Sequence, residues 1–304
     1  MSDSNLHENT SAAGERQPQP LDAVVYVANE PVAETPPPLP QPQPVRPQWR
    51  RPLLLFLATC ASTYYVGGPI YALCLITILV CHEMGHFIQA RRYGVYSSLP
   101  FFIPMHVEPI GTMGAVIGMS SSITNRRALF DIGISGPLAG LVPTILFCTL
   151  GLIYDSHLGR NNPYAMQFGE PLLFKLLAWL RYGPIPEHQT VYIGAMTLAG
   201  WVGLLITALN LFPIGQLDGG HVLYALLRRK AHWTATLILV GAIVAVVLFR
   251  YYWWTLMLVL LMFMGPKHPP TVDDDLPLGT WRTVLGWATL AFLPLGFTPN
   301  PFAL

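Results

Sequence analysis

Some residues with chemical capability stand out in this chain because their surroundings do not suit them. His82-Glu83-Met84-Gly85-His86 interrupts an otherwise apolar run from Leu73 to Ala90. On a helix, positions four apart lie one above the other, so both imidazoles can reach one cation. Glu83 is offset by one residue and can approach a molecule held by that cation. This is the His-Glu-x-x-His pattern of a zinc-binding helix, in which the glutamate acts as general base. The plainer alternative is two buried histidines and a glutamate satisfied by neighbouring helices. It must accept three groups that are expensive to bury on a single turn.

A catalytic zinc ion takes three protein ligands and keeps one position open, so a third ligand has to come from elsewhere. Glu108 follows at a spacing that suits a soluble zinc enzyme, but its flanks, Pro104-Met-His-Val-Glu-Pro109, read as loop. Asp218 is the better candidate. It lies in Asn210-Leu-Phe-Pro213-Ile-Gly215-Gln-Leu217-Asp218-Gly219-Gly220, where proline and glycines break a helix. The alternative for Asp218 is a helix N-cap, a position that aspartate favours. Beside an unfinished two-histidine site, ligation is the stronger reading.

A third cluster, Asn125-Arg126-Arg127 with Asp131, precedes Gly136-Pro137-Leu138-Ala139-Gly140. Arg127 and Asp131 are four apart and can pair at a helix start. Gly136 and Gly140 make a small-xxx-small face for close helix packing. Packing explains every residue in this cluster.

The elements that must position these groups are membrane helices. Of 304 residues, 52% are hydrophobic and 11% charged, where a soluble domain carries about a quarter charged. Apolar runs predict spans at 52–68, 69–92, 128–154, 190–212, 233–249, 251–265 and 282–298, the first two joined by a tight turn at Gly67-Gly68-Pro69. The stretch 171–182 is too short to cross and is expected at an interface. The expected fold is an all-α polytopic membrane protein with about six to seven transmembrane helices. With the amino terminus cytoplasmic, most Lys and Arg fall inside, including Arg50, Arg91, Arg126, Arg228 and Lys267, while Arg160, Lys175, Arg181 and Arg250 fall outside.

Three regions follow: a Pro-rich tail over 1–50, expected to lack fixed structure, a core over 51–230, and additional helices over 231–304. The tail lacks the apolar core of a signal peptide, and its six acidic residues argue against an organelle transit peptide. Cys60, Cys74, Cys81 and Cys148 lie in apolar stretches and are no disulfide framework. A net charge of +1 argues against a nucleic-acid partner.

The three motifs, in this order, resemble the site-2 protease family of intramembrane zinc proteases. Gly111-Thr-Met-Gly114 through Asp131 is similar to a bacterial and chloroplast-type branch that lacks a PDZ domain. The resemblance covers roughly residues 52–230. It implies one zinc per chain on His82, His86 and Asp218, Glu83 as general base, and Asn210 as a group that positions substrate or its developing oxyanion. It further implies a membrane-protein substrate cut within or beside a transmembrane segment, in regulated proteolysis. The implied setting is a bacterial inner membrane with the amino terminus cytoplasmic.

A helical substrate must unwind before attack, and a sheet edge can hold the extended segment. Met113-Gly114-Ala-Val116-Ile-Gly118-Met119 is apolar, tolerates β structure and follows the histidine helix closely. Gly114, Val116 and Gly118 are therefore expected to contact substrate, or the stretch is a simple interfacial hairpin. Two other classes compete: a polytopic ion or metal transporter, and a catalytically inactive relative acting as a binding or chaperone module. The transporter gives no reason for Glu83 between the histidines.

Overall fold

The computed structural model describes residues 49–105, 110–119, 123, 125–162, 164 and 166–303. Glu108 and the tail before residue 49 lie outside them. Helix α1 (Arg50–Arg92) carries the two histidines and is broken at Gly68, whose φ of 75° and ψ of −174° are not helical. Pro69 follows, removing a helical hydrogen bond at the same place. Cys60 and Tyr64 before the break line one groove with Leu73, Thr77 and Cys81 after it, so the chain folds back on itself there. The turn expected at Gly67-Gly68-Pro69 is this kink.

Helix α2 (Arg126–Tyr154) begins with Asn125, whose side chain accepts a hydrogen bond from the Ala128 amide. It packs along both α1 and helix α4 (Ala195–Asn210). Their shared core holds Tyr71, Leu75 and Leu79 from α1, Leu152 from α2, and Trp201 and Leu205 from α4. Helices α1, α2 and the later α6 (Lys230–Phe249) are long and apolar enough to cross a membrane. α6 keeps an apolar outer surface, with Leu237, Val247 and Leu248 exposed, as a lipid-facing helix does. The protein is thus mostly helical and membrane-associated, with small antiparallel sheets.

Strands β1 (Phe101–Pro104) and β2 (Thr112–Val116) pair antiparallel close to α1. Between the pairs Phe102↔Ala115 and Pro104↔Thr112 the register slips, leaving one extra residue in β2. That bulge contains Gly114, at φ 98°, a conformation that side chains disfavour. The Thr112 hydroxyl donates to the Ile103 carbonyl and accepts from the Gly114 amide, pinning the bulge.

At the other end of α2, strand β3 (His157–Arg160) pairs with β5 (Gln189–Tyr192), and β4 (Gln167–Phe168) pairs with β6 (Phe302–Ala303). These two small sheets add to an expectation that included one hairpin. Helix α3 (Leu172–Tyr182) lies between β4 and β5 in sequence, where an interfacial stretch is expected. After α4 come α5 (Asp218–Leu227), α6, α7 (Thr255–Met264) and α8 (Thr280–Leu290). The predicted spans 190–212 and 282–298 are helical over shorter lengths: β5 takes the start of the first, and α8 stops before Pro294 in the second.

Candidate metal centre

Helix α1 presents His82 and His86 from one face toward α2 and α5, and both are buried. The His86 Nδ1–H donates to the Ile132 carbonyl of α2 at 2.8 Å. With Nδ1 protonated, the lone pair of Nε2 points the other way, into the site. Space for that ring comes from α2: a Cβ at Gly136 would stand 2.0 Å from His86 Nε2. Gly140, one turn on, faces His82, where a Cβ would lie 3.0 Å from the His82 Cβ.

Asp218 arrives from the other side. Chain direction reverses after α4 through Pro213 and Gly215, the latter at φ 57°. Leu217 is the N-cap of α5 and makes no side-chain cap bond, so Asp218 is the first helical residue. Its carboxylate therefore faces the imidazoles. Asp218 Oδ2 lies 3.1 Å from His82 Nε2, and Oδ1 lies 3.2 Å from His86 Nε2. The two Nε2 atoms are 3.2 Å apart. The N-cap alternative is not what the carboxylate does.

Two nitrogens and a carboxylate, all within 4.8 Å of one another, form a donor set that could hold a metal ion. Tetrahedral ligands at bond lengths of about 2.1 Å stand ~3.4 Å apart, and the separations here are close to that. Among the described residues this is the His, Cys, Asp or Glu group with that property. Asn210, the last residue of α4, places Nδ2 3.3 Å from His82 Nε2.

A cavity of about 260 Å³ opens beside these groups and is bordered by His82, Glu83 and Asn210. Its opposite wall is the consecutive run 113–116 of β2, and Met257 and Met264 of α7 complete it with Met113. Glu83 is buried, and it faces the same space as the strand edge. Gly114 and Val116 thus lie at the cavity, whereas Gly118 sits away from it, its amide bonded to Ser98 Oγ.

A sequence model of Peptidase family M50 matches residues 70–249, which takes in both histidines, Glu83, Asn210 and Asp218. The chain belongs to this family. Among members it resembles, the "Probable zinc metalloprotease EGY1, chloroplastic" of Oryza sativa subsp. japonica is 32% identical over 213 residues, covering 68% of this chain and 36% of the relative. The protein of the same name in Arabidopsis thaliana is 30% identical, covering 74% and 42%. "Probable zinc metalloprotease EGY2, chloroplastic" of Oryza sativa subsp. indica is 31% identical, covering 77% and 43%. The chain spans about two fifths of the length of these relatives. No solved structure matches it.

Several features around this candidate site are invisible to motif reading. Gly136 and Gly140 read as packing residues, and here they give the histidines room. Asp131 does not pair with Arg127, whose Nε donates to the Pro277 carbonyl. Instead Arg282 of α8 grips Asp131 with Nε and Nη2, both at 2.8 Å, and Tyr93 OH also donates to it. His221, one turn beyond Asp218, lies 2.6 Å through Nδ1 from His268 Nε2. His268 belongs to a strap before α8 that is also tied by Tyr224 OH to Asp274 at 2.6 Å. Burial pushes the Asp274 carboxyl up, but hydrogen bonds from Tyr224 and Thr271 outweigh it and hold the group below its ordinary range.

Proposed function

We propose that the chain is an intramembrane zinc metalloendopeptidase that cuts other membrane proteins within or beside a transmembrane segment. The observation carrying this reading is the meeting of His82, His86 and Asp218 from two helices, with Glu83 on the adjoining cavity. These three residues would hold the zinc. Bound there, zinc supplies a Lewis acid for a carbonyl and brings the acidity of water into the neutral range. Glu83 would take a proton on its carboxylate from the water that adds to the scissile carbonyl carbon and give it to the amine nitrogen as the C–N bond breaks. The Asn210 Nδ2–H donates to the carbonyl oxygen as negative charge develops on it. The β2 edge, with Gly114 and Val116 at the cavity, holds the scissile segment extended as an added strand; Gly118 would act only by shaping the approach to it.

The same reading fixes the setting. The two arms of α1, with α2, α4, α6, α7 and α8, account for six to seven crossings, the shorter ones needing local thinning of the bilayer. Residues 51–230 form the protease core, 231–304 add helices, and 1–50 form a tail. We place the amino terminus on the cytoplasmic side, because the cations Arg126, Arg127 and Arg228 gather at one end of the bundle around residues 273–277. Lys175 and Arg181 lie beyond the far end of α2. The compartment we propose, on the resemblance to a bacterial and chloroplast-type branch, is a bacterial inner membrane, and the relatives named above are chloroplastic.

The test is a paired measurement of zinc content and cleavage of a single-span substrate by purified protein in detergent. Wild type is expected to hold about one zinc and cut. Glu83→Gln keeps zinc and loses cleavage, by a factor on the order of 10² to 10⁴, and Asp218→Ala loses both. A wild-type protein without zinc, or an active Asp218→Ala variant, overturns the assignment.

A further inference from the structure

At the end of the bundle away from the metal centre, a cavity of about 540 Å³ lies between the two small sheets. It is bordered by the consecutive residues 166–170 and 189–193, and by none of 157–160 or 302. Successive residues on one side of a strand, without the neighbouring strand, mark an edge; a sheet face would contribute alternate residues from both. The cavity is therefore a slot between the open edges of β4 and β5.

The pairing registers say which backbone groups point into it. On β5, the Asn161 amide donates to the His188 carbonyl, so 161 and 188 are a hydrogen-bonded pair. Alternation from there makes Leu158↔Val191 a non-hydrogen-bonded pair. The Val191 N–H and C=O consequently point away from β3, toward the slot. Gln189 points the same way, but its amide is taken by the Pro186 carbonyl. On β4, the Gly169 amide donates to the Pro301 carbonyl, which makes Phe168↔Phe302 the non-hydrogen-bonded pair. The Phe168 N–H and C=O thus point outward as well. Each wall offers a peptide donor and acceptor.

We propose that this slot binds an extended segment of the substrate as an inserted strand, joining β3–β5 and β4–β6 into one sheet. This rests on the reading of the chain as a protease for membrane-spanning substrates. The occupant follows from position and chemistry. α4 carries Asn210 at the metal centre at one end and begins near β5 at the other, 16 residues or about 24 Å away. That is close to the hydrocarbon thickness of a bilayer, about 30 Å. A substrate whose helix enters the active site therefore leaves its opposite flank at the height of the slot. The walls include Asn161, Gln167, Gln189, Thr190 and Asn300, and the one ion pair, Lys175–Glu170, is internally neutral. They suit an uncharged polar stub. The tail of this chain is a poor occupant: its prolines at 36–38, 40, 42 and 44 lack the N–H that a central strand must donate.

The experiment uses full-length protein in nanodiscs and a single-span model substrate with a Ser/Thr/Gln/Val stub of about ten residues on the slot side. A photoreactive residue replacing Thr190, in the Glu83→Gln background, should crosslink to the stub. This signal does not depend on cleavage. In the active protein, Val191→Pro removes only the N–H that faces the slot, and should raise KM about tenfold with kcat and zinc content unchanged. Because proline at Val191 could disturb β5, the stub is also altered. N-methylation of alternate stub amides, or removal of the stub, should raise KM of wild type by a similar factor. Absence of the Thr190 crosslink, or a KM indifferent to both stub and Val191→Pro, overturns the proposal. Failure of wild type to cut even the stubless substrate would instead count against the protease reading, and the crosslink would still report on the slot.

Discussion

At the scale of single residues, the site depends as much on what is missing as on what is present. A methyl at position 136 would occupy the place of the His86 ring, whereas one at 140 makes a milder contact, 3.0 Å from the His82 Cβ and 3.2 Å from its Nδ1. Gly136→Ala is therefore expected to displace Nε2 and reduce bound zinc well below one per chain, with overpacking costing about 1–3 kcal/mol. Gly140→Ala should retain most of its metal. Metal analysis of the two purified variants checks this, and equal zinc in both would sink the argument. His82, Glu83 and His86 were legible from spacing alone because both imidazoles share a helix face regardless of what the rest of the chain does. Asp218 was legible only as an acid at a helix break, since its partners His82 and His86 lie far back in the chain, the first of them 136 residues away. The work of Gly136 was not legible: the repeat shows close packing but not which side chain fills the gap.

At the scale of elements, α8 is held to α2 by a charge rather than by a greasy seam alone. Asp131 is buried, and Arg282 and Tyr93 together satisfy it. Arg282→Leu should leave an uncompensated carboxylate and destabilise the fold by about 3 kcal/mol, read as a lower thermal midpoint in detergent. Adding Asp131→Asn should recover part of that loss; a double variant as weak as the two single effects summed would mean the groups act separately. Sequence periodicity misassigned this pair. Arg127 is one turn from Asp131, but the true partner is 151 residues on, and no local rule reaches so far. The helices themselves were readable from apolar length, and so was a hairpin after α1. Strands of two to four residues beyond α2 carry too little alternation to be read, and β4 and β6 depend on each other across the whole second half of the chain.

At the scale of the whole molecule, charge sorts to two ends. The Asp275 side chain, paired with Arg228, and the Glu170 side chain, paired with Lys175, are both accessible and belong to opposite ends of α2. In a variant lacking the four native cysteines, Asp275→Cys and Glu170→Cys should react with a membrane-impermeant thiol reagent from opposite sides. In intact cells only Glu170→Cys is expected to label, and Asp275→Cys only after lysis. Labelling of both from one side would contradict the proposed arrangement of crossings.

The cavity beside Glu83 is walled in part by Met113, Met257 and Met264. Thioether side chains are unbranched and reshape themselves around what they touch. Such a lining discriminates weakly among side chains, so little selectivity resides there. What a segment must provide is a backbone willing to leave its helix, where every freed amide and carbonyl in lipid costs several kcal/mol until the β2 edge accepts it. On the proposed protease reading, the choice of bond then falls to local helix weakness, and substrates are sorted by how readily they come undone.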